Sequence, residues 1–153
     1  MRVEDVKEEQ GIWFLDLKPT ADRRLKNRGS ARRIPLSPVL IERGFLEYVK
    51  AQPKDGLLFS ELRPGPHGVL TGAFSKRYAR FSDSLGITDP RTCFHSYRHS
   101  WIDAARRAKV EQEIRSALLG HSAGTMTARY GSGHDLRALQ EAVNAVEYEG
   151  TSR

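Results

Sequence analysis

The sequence contains a single cysteine, Cys93, among 153 residues. One cysteine excludes a disulfide within the chain and a metal cluster built from several cysteines. The N-terminus lacks the basic-then-apolar pattern of a secretory leader, and no stretch approaches the roughly 20 apolar residues that cross a bilayer. We therefore expect a protein of a reducing, cytoplasmic compartment that has no membrane partner.

Positive charge exceeds negative charge along the chain. The 25 lysines and arginines outnumber the 19 aspartates and glutamates, which gives a net charge of +6. Nucleic acid is the commonest acidic partner of a compact basic domain, and a solvated basic surface is the alternative. The segment RRLKNRGSARR, residues 23–33, carries six basic residues and no acidic one, a density that suits a phosphate backbone. The residues predicted to contact DNA are Arg24, Arg28, Arg32 and Arg33.

Alternating apolar residues predict two strands near the N-terminus. GIWFLDLK, residues 11–18, is typical of one strand, and ARRIPLS, residues 31–37, is typical of its antiparallel partner. The residues between them would form a long hairpin loop that displays the basic segment. The short apolar run GLLFS, residues 56–60, is a candidate third strand.

Helical spacing of apolar residues dominates the remainder of the chain. Ser37 as N-cap and Pro38 at the first helical position predict a helix that ends near Lys50. We therefore predict a single α+β domain, mostly helical, in which a small antiparallel sheet near the N-terminus precedes a helical bundle. The further predicted helices cover residues 74–85, 97–108, 113–119, about 123–130 and about 134–148. The aromatic residues predicted to belong to the core are Trp13, Phe74, Tyr78, Phe81 and Trp101.

Four polar residues near predicted helix ends have the chemistry of phosphoryl transfer. His95 and Arg98 are three residues apart, so on a helix they share a face and can address one anion. A guanidinium binds phosphate oxygens in a fixed fork, and an imidazole exchanges a proton near neutral pH. Tyr130, nine residues after His121, has a hydroxyl that can attack phosphorus if the developing charge is stabilised. Such a site needs no metal and no nucleotide cofactor.

These residues lie in segments that resemble the motifs of the tyrosine site-specific recombinases, or phage-type integrases. HSYRHS resembles that family's His-x-x-Arg-His box, LLGHS resembles its Leu-Gly-His box, and Tyr130 stands where its nucleophilic tyrosine follows. KNRGSARRIPLSP is similar to its Lys-Thr-x-x-Ser-x-Arg-x-x-Pro pattern, with Asn27 in place of threonine. MRVEDV resembles the segment that leads into the first strand of that hairpin, so the resemblance extends from residue 1 to about residue 147.

The resemblance implies site-specific recombination or integration of double-stranded DNA. Tyr130 would attack a scissile phosphate and form a 3′-phosphotyrosyl link, which a 5′-hydroxyl later reseals without ATP. Arg98 would hold the non-bridging oxygens, His95 would transfer a proton at the nucleophile, and His121 would hydrogen-bond the phosphate. Lys26 would protonate the leaving 5′-oxygen. The full-length enzyme of a phage or mobile element would be nucleoid-associated and would assemble as a homo-tetramer on two DNA sites.

The family's pocket also contains another arginine, on a helix upstream of the segment that MRVEDV resembles. Arg2 does not take that role, because it falls in the downstream part of the motif. We therefore expect residues 1–153 to be a partial catalytic domain, without the N-terminal DNA-binding domain and the first-arginine helix. Alone, such a fragment is expected to bind DNA weakly and to be inactive, and a naturally truncated relative is the alternative.

Each candidate residue also has an interpretation without catalysis. Lys26 is equally a charge that binds the DNA backbone, and Lys18 is its nearest rival for the catalytic role. His121 could be a cap that interacts with a helix C-terminus. The ordinary alternatives of a surface ion pair, a helix cap and core packing apply respectively to Arg98, His95 and Tyr130.

Two other functions stay open at the level of the sequence. One is a non-catalytic DNA-binding module that keeps the recombinase fold, and the other is a type IB topoisomerase, which the LLGHS box and the short chain disfavour. A metal site is disfavoured as well. His99 follows His95 by four residues, but position 96 is serine rather than glutamate, so His99 is predicted to be structural.

Overall fold

The computed structural model of the chain describes residues 1–20, 30–62, 71–121 and 134–148. Over those residues the chain is of the α+β class, as predicted, with a small antiparallel sheet near the N-terminus followed by helices. A 3-10 helix at Val3–Asp5 precedes three strands, β1 (Val6–Glu9), β2 (Ile12–Leu17) and β3 (Arg32–Pro35). The helices are α1 (Pro38–Glu42), α2 (Phe45–Lys50), α3 (Thr71–Ser84), α4 (Ser96–Arg107), α5 (Gln112–Leu119) and α6 (Leu136–Asn144).

The three strands pair in chain order. β2 lies in the centre, antiparallel to both neighbours, with Leu15 opposite Val6 on one side and Ile34 on the other. Gln10 and Gly11 join β1 to β2, and both have positive φ angles, as a two-residue type I′ hairpin turn requires. The predicted pairing of residues 11–18 with residues 31–37 is confirmed.

The third strand is β1, and the prediction of a strand at residues 56–60 is wrong. In that segment the structure has a single isolated bridge, from Leu57 to Arg2, and the Gly56 N–H donates to the Pro53 carbonyl in a turn. The run is apolar because Leu58 fills the core, where it is fully buried. β1 lacks an alternating apolar pattern because its second half consists of two exposed glutamates.

The helix predicted from Pro38 to Lys50 is divided in two. Gly44 adopts a left-handed conformation, with φ of +84°, and its N–H donates to the Ile41 carbonyl. A right-handed helix cannot continue through that geometry, so α1 ends and α2 begins after the glycine. Ser37 and Pro38 do occupy the predicted cap and first helical positions.

The later helices lie close to their predicted positions. The helices α3, α4 and α5 are confirmed, whereas α6 spans Leu136–Asn144 and is shorter than the predicted 134–148. The short helix predicted near 123–130 lies outside the described residues. In the described parts of the chain, no helix combines the length and apolarity needed to cross a membrane.

The core lies between the sheet and the last two helices. Ile12 and Phe14 on β2 pack with Leu136, and Leu118 on α5 packs with Leu139 on α6. Removing such side chains from water stabilises the fold by about 1.5–3 kcal/mol each. Because α5 and α6 both pack against β3, this core fixes the end of α5 beside the start of β3. The partly buried side chains around the second group include Ile34, Trp101, Val110 and Ile114.

The aromatic residues of α3 do not all enter the core. Phe81 is 56% exposed, so its predicted core position is wrong. Phe74 and Tyr78 are half-buried and form edge-to-face ring contacts with Phe94. Helical spacing correctly placed these side chains on one face of α3, but that face meets an exposed aromatic cluster rather than the central core.

Candidate functional site

Arg98 lies in the first turn of α4 and reaches across to the end of α5. The turn before α4 is closed by the Ser96 N–H, which donates to the Cys93 carbonyl at 2.8 Å. From this position the half-buried Arg98 donates through Nη2 to the Leu119 carbonyl at 2.7 Å. The same nitrogen lies 2.8 Å from Nε2 of His121. The structure therefore joins the residues of the two predicted boxes, which are 23 positions apart in sequence.

Gly120 turns the chain so that His121 leaves the axis of α5. Its φ is +68°, and its N–H donates to the Ala117 carbonyl, while the His121 N–H donates to the Ser116 carbonyl. This pair of hydrogen bonds is the Schellman motif, which needs a left-handed residue that glycine supplies at little cost. The prediction that Gly120 ends this helix is confirmed.

The contact between Arg98 and His121 indicates a tautomer of the imidazole. A guanidinium donates hydrogen bonds and accepts none, so Nε2 of His121 is the acceptor in this hydrogen bond. The tautomer that allows it has the ring proton on Nδ1, an assignment made from the hydrogen bond. His121 is exposed at this position. Its Nδ1–H is therefore a donor that an anion could use.

Arg32 is a second guanidinium at the same place. It begins β3, donates through Nη1 to the Ser30 carbonyl at 2.7 Å, and lies against Gly120. A Cβ on Gly120 would lie 2.6 Å from that Nη1. Burial, and after it the charge of Arg98, lower the pKa of Arg32.

The Nε atom of Arg32 is buried and has no hydrogen-bond partner among the described residues. A buried donor without a partner costs about 1–3 kcal/mol, so such groups call for an explanation. We refer to Arg32, Arg98 and His121 around Gly120 as the Gly120 cluster. The sequence placed Arg32 only among the residues expected to contact the DNA backbone, and nothing in its motif indicated that it would meet Arg98.

His95 precedes α4 and lies near this cluster along the chain. It is exposed, and its ring packs edge-on against that of His99, with 5.4 Å between centroids. His99 is exposed as well, and its predicted structural role stays a prediction. In the portion of the chain that the structure describes, no group of three His, Cys, Asp or Glu side chains is placed to hold a metal ion.

Other predicted residues have different surroundings. Arg33 forms an ion pair with Glu9 at 3.2 Å and lies over the Phe14 ring, so it contacts the sheet and not the Gly120 cluster. Lys18, the rival for the catalytic lysine, lies 3.3 Å from the Asp16 carboxylate. Arg2 donates to the Asp55 carbonyl. Four predicted site residues lie outside the described part of the chain: Arg24, Lys26, Arg28 and Tyr130.

A groove of about 290 Å³ lies between α3 and the segment that follows it. Tyr78, Asp83 and Phe94 are among its lining residues, and no predicted site residue of the described ranges lines it. The described residues in its wall include no arginine or lysine, so its chemistry differs from that of the Gly120 cluster.

The Gly120 cluster has the chemistry of an anion site. The guanidinium groups of Arg98 and Arg32 and the imidazole ring of His121 meet at the end of α5, where Arg98 covers the Leu119 carbonyl. That cover matters because the carbonyl end of a helix carries partial negative charge and would otherwise repel an anion.

Comparison of the chain with protein-family models, with curated proteins and with solved structures finds no match. A functional proposal for the chain therefore rests on its site residues.

Proposed function

We propose that this chain is the catalytic part of a DNA strand transferase of the tyrosine recombinase type, acting in site-specific recombination or integration. The observation that carries the proposal is the contact of 2.8 Å between Arg98 Nη2 and His121 Nε2. The motif resemblance requires these two residues to address one phosphate. Nothing in their separation along the chain obliges them to meet.

In the proposed reaction, Tyr130 attacks a scissile phosphate of double-stranded DNA. The bond from the tyrosine oxygen to phosphorus forms as the bond from phosphorus to the 5′-oxygen breaks. The tyrosine proton passes to His95, directly or through water, and Lys26 gives a proton to the departing 5′-oxygen. The product is a 3′-phosphotyrosyl link with a free 5′-hydroxyl, and the reverse reaction with another strand completes the exchange.

Arg98 and His121 would act on the phosphate itself. The guanidinium of Arg98 would bind the non-bridging oxygens, where charge accumulates in the transition state. The hydrogen bond from Arg98 orients the His121 ring, whose Nδ1–H would donate to a phosphate oxygen. Donors that are held in place before the reaction spend no free energy on reorganisation during it, which is the physical advantage of this arrangement.

The proposal extends to the assembly that such chemistry needs. Exchange of strands between two DNA sites requires a pair of cleavages at each site, which fits a homo-tetramer of the full-length protein. The net charge of +6 supports double-stranded DNA as the partner. The reaction needs no metal or nucleotide, because the phosphotyrosyl link conserves the energy of the phosphodiester.

The test is a covalent trap with nicked DNA. The chain, and the longest in-frame protein that contains it, are incubated with a pool of duplexes that have randomised centres and a nick in one strand. Cleavage near the nick releases a short fragment and leaves the protein attached. With the longer protein we expect an adduct on a denaturing gel that is lost in Tyr130→Phe and kept in Tyr97→Phe, a matched change at an exposed tyrosine.

Two results would count against the proposal. An adduct that forms equally well in Tyr130→Phe assigns the wrong nucleophile. DNA binding without any adduct, in both the chain and the longer protein, favours the non-catalytic DNA-binding module instead.

A further inference from the structure

We propose that Arg32 is a second phosphate-binding arginine, which joins Arg98 and His121 in one site for a phosphodiester oxygen pair. The inference deepens the proposed function and rests on it for the identity of the phosphate. The binding of a tetrahedral anion by these residues stands on their geometry alone.

The first ground is the position of the Arg32 side chain. It crosses from the start of β3 to the end of α5, where its guanidinium lies against Gly120. Arg98 reaches the same point from α4 and bonds to the residues on either side of Gly120, Leu119 and His121. Three separate elements thus bring their polar groups to one corner of the fold.

The second ground is the unused hydrogen-bonding capacity of Arg32. A guanidinium has five N–H donors, and Nη1 uses one of its own on the Ser30 carbonyl. The buried Nε has no partner among the described residues, so the fold does not satisfy all of these donors. An anion seated beside Arg98 would accept from the remaining N–H groups at the outer end of the guanidinium, which matches oxygen acceptors in pairs.

The third ground is charge. Two arginines that lie close together repel each other, and the charge of Arg98 contributes to the lowered pKa of Arg32. Within residues 1–20, 30–62, 71–121 and 134–148, neither arginine forms an ion pair with a carboxylate. A phosphate bound between the two arginines would attract both guanidinium groups and so offset their repulsion.

The fourth ground is the glycine between them. Gly120 serves as the left-handed cap of α5, and its missing side chain also leaves the space that Arg32 occupies. A Cβ at this position would meet Nη1, Cζ and Cδ of Arg32 at 2.6, 3.1 and 3.3 Å. The helix end and the approach of the second arginine therefore depend on the same residue.

The test measures phosphate binding by the whole chain. Inorganic phosphate is titrated into the wild-type chain and into Arg32→Gln, Arg32→Lys and Arg91→Gln, with binding followed by calorimetry. Arg91→Gln is the matched control, because Arg91 is an exposed arginine that pairs with Asp89 and is not among the predicted DNA contacts. We expect Arg32→Gln to weaken binding by about tenfold or more, as loss of a charged hydrogen bond does. Arg32→Lys should recover part of the affinity, and Arg91→Gln should leave it nearly unchanged.

A thermal melt in phosphate-free buffer separates binding from a structural role. Removal of one of two repelling charges should leave the melting temperature of Arg32→Gln equal to or above that of the wild type. If the melting temperature falls and phosphate affinity does not change, Arg32 is a structural residue and the inference is wrong. Equal losses of affinity in Arg32→Gln and Arg91→Gln would overturn it as well, because they indicate only a general effect of charge.

The nicked-duplex assay separates this inference from the proposed function. If phosphate binding depends on Arg32 but no variant forms a Tyr130 adduct, the anion site stands and the strand-transfer proposal fails. If an adduct forms and its rate in Arg32→Gln equals that of the wild type, strand transfer stands and the role of Arg32 fails. The expected result is a slower adduct in Arg32→Gln and an unchanged rate in Arg91→Gln.

Discussion

At the scale of single residues, Gly120 links the end of a helix to the placement of two arginines. Its φ of +68° ends α5 and releases His121, while its bare backbone admits the Arg32 guanidinium. Either requirement alone would favour glycine. A substitution of Gly120 should therefore change two quantities that ordinarily vary independently, the stability of the fold and the affinity for an anion.

Gly120→Ala is predicted to separate those two measurements. The left-handed φ should cost about 1–2 kcal/mol of unfolding free energy in an L-residue. The new Cβ meets the flexible end of Arg32, which can move away, so we expect little further loss of stability. Phosphate affinity should fall, because Arg32 no longer lies beside Arg98.

The matched control for this prediction is Gly86→Ala. Gly86 has φ of +76° and no atom within 4 Å of an added Cβ, so it carries the conformational cost alone. Urea unfolding should give similar losses for the two variants, and calorimetry should show weaker phosphate binding only for Gly120→Ala. Equal phosphate affinity in both variants would mean that the approach of Arg32 to Gly120 has no bearing on the anion.

At the scale of elements, the sheet is held partly by an ion pair between its first two strands. Lys7 on β1 donates to the Asp16 carboxylate on β2 at 2.7 Å, and Lys18 approaches the same oxygen. Burial by itself raises the pKa of Asp16, but the hydrogen bonds from Lys7 and Lys18 outweigh it, so the net shift is downward. The hydrogen bond between Lys7 and Asp16 also raises the pKa of Lys7.

Stability is therefore predicted to depend on Asp16 in acid. Because its folded pKa lies below the unfolded value, the carboxylate stabilises the fold at pH above that unfolded value. The contribution disappears as pH falls through the folded pKa, when the carboxyl becomes protonated in both states. We expect the melting temperature of the wild type to fall between neutral pH and acid, partly through Asp16. Asp16→Asn should show a smaller fall, whereas Asp83→Asn, a change at an exposed control residue, should show the same fall as the wild type. Identical acid profiles for the two variants would contradict this account.

The elements also show which features sequence patterns could predict. The hairpin of β2 and β3 and the helices α3 to α5 follow from alternation and helical spacing, because each signal is local. The strand β1 was missed because half of it is exposed and charged, and its pairing depends on a two-residue turn. The break at Gly44 was missed because glycine within an apolar periodic segment does not reveal the sign of its φ.

The candidate site likewise has one contact that sequence motifs predict and one that they do not. The meeting of Arg98 with His121 was predicted because two recognisable motifs carry the residues. The approach of Arg32 to Gly120 could not be predicted, because it depends on how α5 and α6 pack against β3. A packing of this kind brings together residues that share no motif, and local pattern carries no information about it.

At the scale of the whole molecule, positive charge exceeds negative charge, and some of the cations are paired. Lys7 is engaged by Asp16, Arg91 by Asp89 and Arg106 by Asp103. Each pair joins one positive charge to one negative charge, so the net charge of +6 is carried by the remaining lysines and arginines. A salt titration can count how many of them contact phosphates.

The predicted DNA contacts imply a definite salt dependence. If the four arginines Arg24, Arg28, Arg32 and Arg33 each neutralise one phosphate, affinity for a random-sequence duplex should fall about 100-fold between 50 and 200 mM salt. Arg32→Gln should reduce the slope of log affinity against log salt by about 0.9. Fluorescence anisotropy over that range measures both quantities. A fall of less than about tenfold would show that most of these arginines do not contact the backbone.

The identity of the residue that becomes joined to DNA tests the central claim most directly. After the longest in-frame protein that contains the chain has reacted with the nicked duplex pool, nuclease and protease digestion leaves a nucleotide attached to one peptide, which mass spectrometry can sequence. The account predicts that the nucleotide mass lies on Tyr130, as a phosphodiester to its phenolic oxygen. A nucleotide found on another residue, or a protein that binds the duplexes without any such mass, would contradict the claim that this chain breaks DNA through that tyrosine.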